Sequence, residues 1–136
     1  MTGQKMENAS QFAAYVPCAT YFHDSDCVEY VKRDSLLVYD RVDQFLTLIF
    51  DGTGKQLVGF KLKGFKNLFT KQLAPMYRLN NRQFVGLVPA LEAICQVLGG
   101  QLEDDDDRKQ SYRAAMDLAA NDNVSLSGAH LAALAA

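Results

Sequence analysis

Two strand-like segments joined by a glycine turn constrain the fold most strongly. Gln44–Phe50 is aromatic, β-branched and aliphatic, and it is too short for a typical core helix. Both of its alternating faces are largely apolar, which predicts a strand that is covered on both faces and central in its sheet. Asp51–Lys55 contains two glycines and predicts a hairpin loop. Gln56–Lys63 then alternates, which predicts an antiparallel partner with one dry and one basic face.

Three further segments extend the predicted sheet. Leu36–Tyr39 is an apolar run, and the four residues that follow it are the length of a tight hairpin link. Ala19–His23 and Cys27–Arg33 read as two more strands with a polar turn between them. The pattern therefore predicts about five antiparallel strands in a β-meander.

After residue 63 the apolar period changes from two to between three and four. Helical spacing begins at Phe65, and a second helical region spans residues 84–98. Pro89 lies inside that region, so either the helix kinks there or Pro89 sits in its first turn and 82–88 is something else; we favour the second. A third helix follows the acidic run at 103–107, whose charge suits a helix N-terminus.

The predicted fold class is α+β: an antiparallel β-meander of about five strands followed by two to three helices that pack on the sheet. At 136 residues and 49% hydrophobic composition, one domain with a substantial core is expected. We assign residues 1–121 to this domain. Residues 122–136 are predicted to be a flexible or short-helix C-terminal tail.

Cysteine usage and hydropathy indicate a cytoplasmic protein. The three cysteines are odd in number and show no framework spacing. No secretory signal pattern is present at the start of the sequence, and no apolar run approaches a membrane span. We therefore predict a reduced protein without a membrane partner, and we predict no cofactor.

Charge is segregated along the chain. Residues 52–91 contain seven basic residues and no acid, although the net charge of the chain is −2. Such segregation is a cue for a polyanion site. The candidate polyanion-binding residues are Lys61, Lys63, Lys66, Lys71, Arg78 and Arg82. The favoured alternative is a solvated basic face that keeps the domain soluble or faces the acidic run at 103–107.

The polar turn at 23–27 concentrates side chains that can bind a metal or move a proton. The candidate metal ligands are His23, Asp26 and Cys27. A metal site needs ligands that converge from separate elements, and none is evident in the sequence. A plain polar turn is therefore the favoured interpretation, and we assign no catalytic residue.

The segment from Tyr39 to Phe69 resembles small uncharacterised bacterial proteins. In these proteins an aspartate-bearing turn, an apolar strand and a second strand of the pattern Leu-Val-Gly-Phe-Lys-Leu run into a helix, as in this sequence. The resemblance implies a β-meander module of a domain of unknown function followed by a helix. It implies no activity and no site residue.

The strand Gln44–Phe50 is apolar on both faces, whereas the predicted helices cover one. We therefore expect a homodimer that buries the second face.

The favoured function is a non-enzymatic interaction or regulatory module. Such a module could also bind another protein. The first alternative is a nucleic-acid-associated protein that uses the basic 55–82 surface. The second alternative is a small enzyme or metal site near residues 23–27.

Overall fold

The computed structural model of the protein describes residues 18–32, 36–53, 55–73 and 84–127. Seven strands and four α-helices form in these residues. The strands are β1 Cys18–Phe22, β2 Cys27–Val31, β3 Leu37–Arg41, β4 Leu46–Asp51, β5 Leu57–Lys63, β6 Phe84–Gly86 and β7 Ser125–Ser127. The helices are α1 Phe65–Leu68, α2 Leu87–Leu98, α3 Gly100–Glu103 and α4 Asp106–Asn121, and a π-helical turn at Phe69–Leu73 continues α1.

The strands form one sheet in the order β3-β4-β5-β2-β1-β7-β6, so the α+β class is confirmed. The five predicted strands are all present, and each is antiparallel to its neighbours among the five. The prediction of a simple meander is wrong, because β2 pairs with β5 rather than with β3. The β1–β2 hairpin therefore pairs with β5, at the side of the β3-β4-β5 meander that is opposite β3.

The sheet is mixed because a strand from the end of the chain enters it. β7 runs parallel to β1 and antiparallel to β6. Residues 122–127, which the sequence analysis assigned to a tail, thus include a strand inside the sheet, while residues 128–136 lie outside the described part. β4 is second from one edge and pairs on both sides, so its predicted central position is only partly right.

The helices follow from local signals. α2 begins at Leu87 after the strand β6, so Pro89 sits in its first turn, as favoured from the sequence. α4 begins after Asp105, whose carboxylate accepts a hydrogen bond from the Arg108 backbone N–H at 3.0 Å. α1 is only one turn long, and the described π-helical turn extends it. In the described residues, no helix is long and apolar enough to cross a membrane.

The main core lies between one face of the sheet and the helices. β4 and β5 contribute Leu46, Leu48, Phe60 and Leu62, which are all buried. The helices contribute the buried apolar side chains Phe65, Leu68, Phe69, Leu87, Ala90, Leu91, Ala93, Ile94, Leu98, Leu102, Tyr112, Ala115, Leu118 and Ala119. We call this the helix face of the sheet. The opposite face, which we call the second face, carries the alternate residues of the same strands.

Gly59 on β5 is required by close strand packing. A Cβ atom at this position would overlap the Tyr30 carbonyl oxygen and lie 2.9 Å from the Val31 Cα atom. Both are backbone atoms of β2, so neither can move without disturbing the β2–β5 pairing.

Gly59→Ala is therefore expected to lower the free energy of unfolding by about 3 kcal/mol, a large overpacking cost, in urea denaturation. Gly100→Ala is the matched control, because no atom lies within 4 Å of the added Cβ. Equal stabilities of the two variants would contradict this packing account.

Candidate functional site

The basic residues predicted from the sequence divide between two parts of the structure. Lys61 and Lys63 lie on the second face of β5, whereas Lys66 on α1 and Lys71 on the π-helical turn are exposed beyond the end of that strand. Arg78 and Arg82 lie outside the described residues. Lys61 is directly opposite Glu29 of β2, so an acid interrupts the basic face.

The turn at 23–27 is held by Asp26. One oxygen of its carboxylate accepts hydrogen bonds from the Tyr21 hydroxyl at 2.7 Å and from the Lys66 backbone N–H at 2.8 Å. The Asp26 backbone carbonyl accepts from the Gly64 N–H at 3.0 Å. Asp26 thus caps α1 from a distant turn, because the first N–H groups of a helix lack partners within it. Burial raises the pKa of Tyr21 to about 12, and its hydrogen bond to Asp26 adds to this.

The other two candidate ligands of this turn, His23 and Cys27, lie in different environments. His23 is exposed, with its Nδ1 atom 3.9 Å from an Asp24 oxygen. Cys27 is buried, and this burial raises the pKa of its thiol. In the ranges that the structure describes, no three histidine, cysteine or acidic side chains are grouped so that they could hold a metal ion.

Asp43, in the link between β3 and β4, is a buried carboxylate that was not predicted from the sequence. Its side chain is 2% exposed. One oxygen accepts from the backbone N–H groups of Phe45 and Leu46, each at 2.8 Å. The Arg108 Nε atom lies 3.1 Å from the other oxygen, and the Tyr112 hydroxyl donates to the carboxylate at 2.8 Å. The sequence shows the Asx-type turn, but no local signal connects Asp43 to a helix more than sixty residues later.

Tyr112 is locked in its neutral form by this environment. Burial raises the pKa of its hydroxyl far above the usual range, and the hydrogen bond to Asp43 raises it further. Arg108 opposes these effects only in part. The neutral hydroxyl therefore donates to Asp43 and links α4 to the sheet.

Two cavities flank this buried group. The first, of about 240 Å³, is largely apolar and lies where α2, α3 and α4 meet, lined by Cys95, Leu102, Lys109, Tyr112, Arg113, Met116 and Asp117. Burial raises the pKa of the Cys95 thiol, which disfavours the nucleophilic thiolate. The second, of about 370 Å³, is polar and open, lined by Asp40, Arg41, Val42, Asp105, Asp107, Arg108 and Ser111.

The most exposed apolar surface lies at the start of β3. Leu36, Val38 and Tyr39 are 78%, 42% and 51% exposed. They are three of the five large apolar residues that are exposed in the described ranges, and the other two, Phe22 and Val97, lie elsewhere. β3 is also an edge of the sheet, since no described strand lies beyond it. An apolar edge strand is a template for pairing with another chain.

Tyr39 is held in place on the second face. Its hydroxyl donates to the Glu29 carboxylate at 3.3 Å, and the Lys61 Nζ atom lies 5.6 Å from its ring centroid. Burial raises the pKa of Tyr39, and the nearby Glu29 charge raises it further. Two other strands of the sheet, β2 and β5, therefore order an aromatic ring whose residue is half exposed to solvent.

Comparisons with protein-family models, with curated proteins and with solved structures find no match to this chain. The resemblance over residues 39–69 therefore stays a prediction, and the candidate site depends on the geometry of the chain alone.

Asp26→Ala is expected to lower the free energy of unfolding by about 1–2 kcal/mol in urea denaturation, because α1 loses a cap and Tyr21 loses its acceptor. His23→Ala, in the same turn but exposed, is the control and is expected to change it by less than about 0.5 kcal/mol. Stabilisation of the wild type by added zinc that both variants lose would instead support a metal site.

Alkaline pH is expected to reduce the contribution of Tyr112 to the free energy of unfolding. Because the pKa of Tyr112 is raised, the folded protein keeps a proton that the unfolded chain releases near the ordinary tyrosine pKa of 10.0. The stabilisation is therefore complete below that pH and is lost as pH rises above it.

The stability difference between wild type and Tyr112→Phe should shrink between about pH 9 and pH 11, as measured by urea unfolding at each pH. Tyr39→Phe, at a half-exposed position, is the control and should give a smaller change. A difference that stays constant across this range would contradict the neutral-donor role of Tyr112.

Proposed function

We propose that this protein is a non-enzymatic interaction or regulatory module that acts as a homodimer, and that the edge strand β3 joins the two copies. One observation carries this proposal: exposed apolar side chains gather on a strand whose outer edge has no partner in the described residues. Both the backbone and the side chains of this short segment are thus suited to pairing with a strand of a second copy.

The opposite edge of the sheet is a weaker candidate. β6 at that edge has three residues, whereas β3 has five. β3 also contains no proline, and proline is one of the devices by which proteins protect an edge. Asp40 and Arg41 are its only charged residues, and they have opposite signs. Some registers of two β3 strands therefore place no like charges opposite each other.

The nucleic-acid alternative has less support from the placement of the basic residues. Lys61 lies opposite Glu29 and close to the Tyr39 ring, so part of its charge is already matched within the sheet. A polyanion site gains most from several unmatched cations along one surface. Lys63, Lys66 and Lys71 are exposed and fit a nucleic-acid surface better than Lys61 does.

The small-enzyme alternative at residues 23–27 also has less support. The Asp26 carboxylate already accepts from the Tyr21 hydroxyl and from the Lys66 N–H at the start of α1, and the Cys27 thiol is buried with a raised pKa.

The cytoplasmic location remains part of the proposal. Its support is that Cys27 and Cys95 are free thiols, which suit a reducing compartment.

The proposed dimer is tested by one charge placed on the edge. Tyr39→Lys puts a cation on the outer edge strand of each copy, where two such charges would repel across the interface. Size-exclusion chromatography with light scattering is expected to give a dimer for the wild type and a monomer for this variant at micromolar concentration.

Val97→Lys is the matched control, because Val97 on α2 and Tyr39 are both 51% exposed. This variant is expected to remain a dimer. A wild-type monomer, or an unchanged Tyr39→Lys dimer, would overturn the proposed role of β3.

A further inference from the structure

We infer that two copies of β3 pair antiparallel about a twofold axis at Tyr39, which joins the two sheets into one continuous sheet. This inference rests on the proposed function and specifies its geometry. It follows from the hydrogen-bond alternation along β3, from the faces of the strand and from its charges.

The alternation fixes which backbone groups face outward. The Val42 N–H donates to the Leu46 carbonyl at 2.9 Å, and these two residues continue the β3–β4 register. In an antiparallel pair every second residue bonds to a given neighbour. Val38 and Asp40 therefore bond to β4, and the N–H and C=O groups of Leu37, Tyr39 and Arg41 face away from the sheet.

The next strand pair supports this assignment. The Lys63 N–H donates to the Phe45 carbonyl at 2.8 Å, so the odd-numbered residues of β4 bond to β5. The even-numbered residues of β4, including Leu46 and Leu48, are then the ones that bond to β3. Both strand pairs thus give the same alternation, and the outer backbone edge of β3 has no partner strand in the part of the chain that the structure describes.

A twofold axis through the sheet restricts the possible registers. It keeps each residue on its own face, so one residue of β3 lies opposite its own copy at the centre. A centre at Asp40 places two carboxylates directly opposite each other, and a centre at Val38 leaves Arg41 without a partner inside β3. A centre at Arg41 places two guanidinium groups directly opposite each other, which is unfavourable. A centre at Leu37 leaves Arg41 without a partner inside β3. Only a centre at Tyr39 pairs all five residues of the strand with each other.

The Tyr39 register is complementary in its side chains as well. On the second face the two Tyr39 residues are directly opposite, while each ring extends inward over its own sheet towards Glu29 and Lys61. Each Leu37 lies opposite an Arg41 whose aliphatic stem can cover it. On the helix face each Val38 lies opposite an Asp40. No two like charges are directly opposite, and about six backbone hydrogen bonds form across the twofold axis.

Amide hydrogen exchange, followed by NMR at high concentration and after dilution below the dimer range, tests this register. In the dimer, exchange of the Leu37, Tyr39 and Arg41 amides is expected to slow by at least about tenfold relative to the diluted protein. The Val38 and Asp40 amides bond to β4 in both states, so their exchange is expected to change much less.

A pair of variants tests the same geometry through the backbone. Tyr39→Pro removes an outward N–H without removing a β3–β4 hydrogen bond, since proline is tolerated at an edge whose N–H faces solvent. We expect a folded monomer with an unchanged far-UV circular dichroism spectrum. Tyr39→Thr is the matched control, because it also removes the ring but keeps the N–H, and it is expected still to dimerise.

The outcomes separate this inference from the proposed function. A dimer in which the Leu37, Tyr39 and Arg41 amides exchange at the monomer rate would overturn the register and leave the homodimer in place. Protection centred on another residue would do the same. A monomer at every concentration would overturn the proposed function, and the pairing with it.

Discussion

The buried carboxylate of Asp43 is the interaction on which the rest of the structure depends. It accepts from two backbone N–H groups of the β3–β4 link and from the Tyr112 hydroxyl, and it forms an ion pair with Arg108. A buried charge is tolerated only when such partners surround it, and removal of one partner leaves an uncompensated charge. The same carboxylate therefore shapes the turn that begins β4 and attaches α4 to the helix face.

Two further tyrosine–aspartate contacts connect distant parts of the chain in a similar way. The Tyr21 hydroxyl meets Asp26, which also caps α1. The buried Tyr30 donates to Asp122 at 2.8 Å, and the Lys32 Nζ atom lies 3.4 Å from the same oxygen. Each contact joins the sheet to a helix end or a helix-linked turn. Together they fix the helices on one face. Among the described strands β3 pairs with β4 alone, and the Tyr39 side chain connects it to Glu29 and Lys61 further into the sheet.

This arrangement explains why β3 is the surface that matters for the proposed assembly. The strand is ordered by β4 on one side, yet its other side has no partner strand among the described residues, and the segment carries exposed apolar side chains. An ordered edge gives up little conformational entropy when it binds, so its hydrogen bonds and buried area contribute more to affinity. Tyr39, already held by Glu29 and Lys61, extends this ordering to the side chain.

Local patterns in the sequence predicted the five antiparallel strands, the antiparallel pairing of β4 with β5 and the first turn of α2, because period, turn chemistry and proline position are local properties. They did not predict the pairing of β2 with β5 or the entry of β7 beside β1, since non-local strand order leaves no mark on local periodicity. Asp43 was read as part of a link because its partners Arg108 and Tyr112 are remote in sequence. The homodimer was expected from the apolar faces of β4, whereas the structure directs attention to the edge strand β3.

Native mass spectrometry of the purified protein at micromolar concentration tests the central claim most directly. The proposed assembly predicts a species of twice the mass of the chain, with no additional mass from a metal or small molecule. A single-chain species across the accessible concentration range would contradict it, and a bound metal or ligand would direct attention back to His23, Asp26 and Cys27.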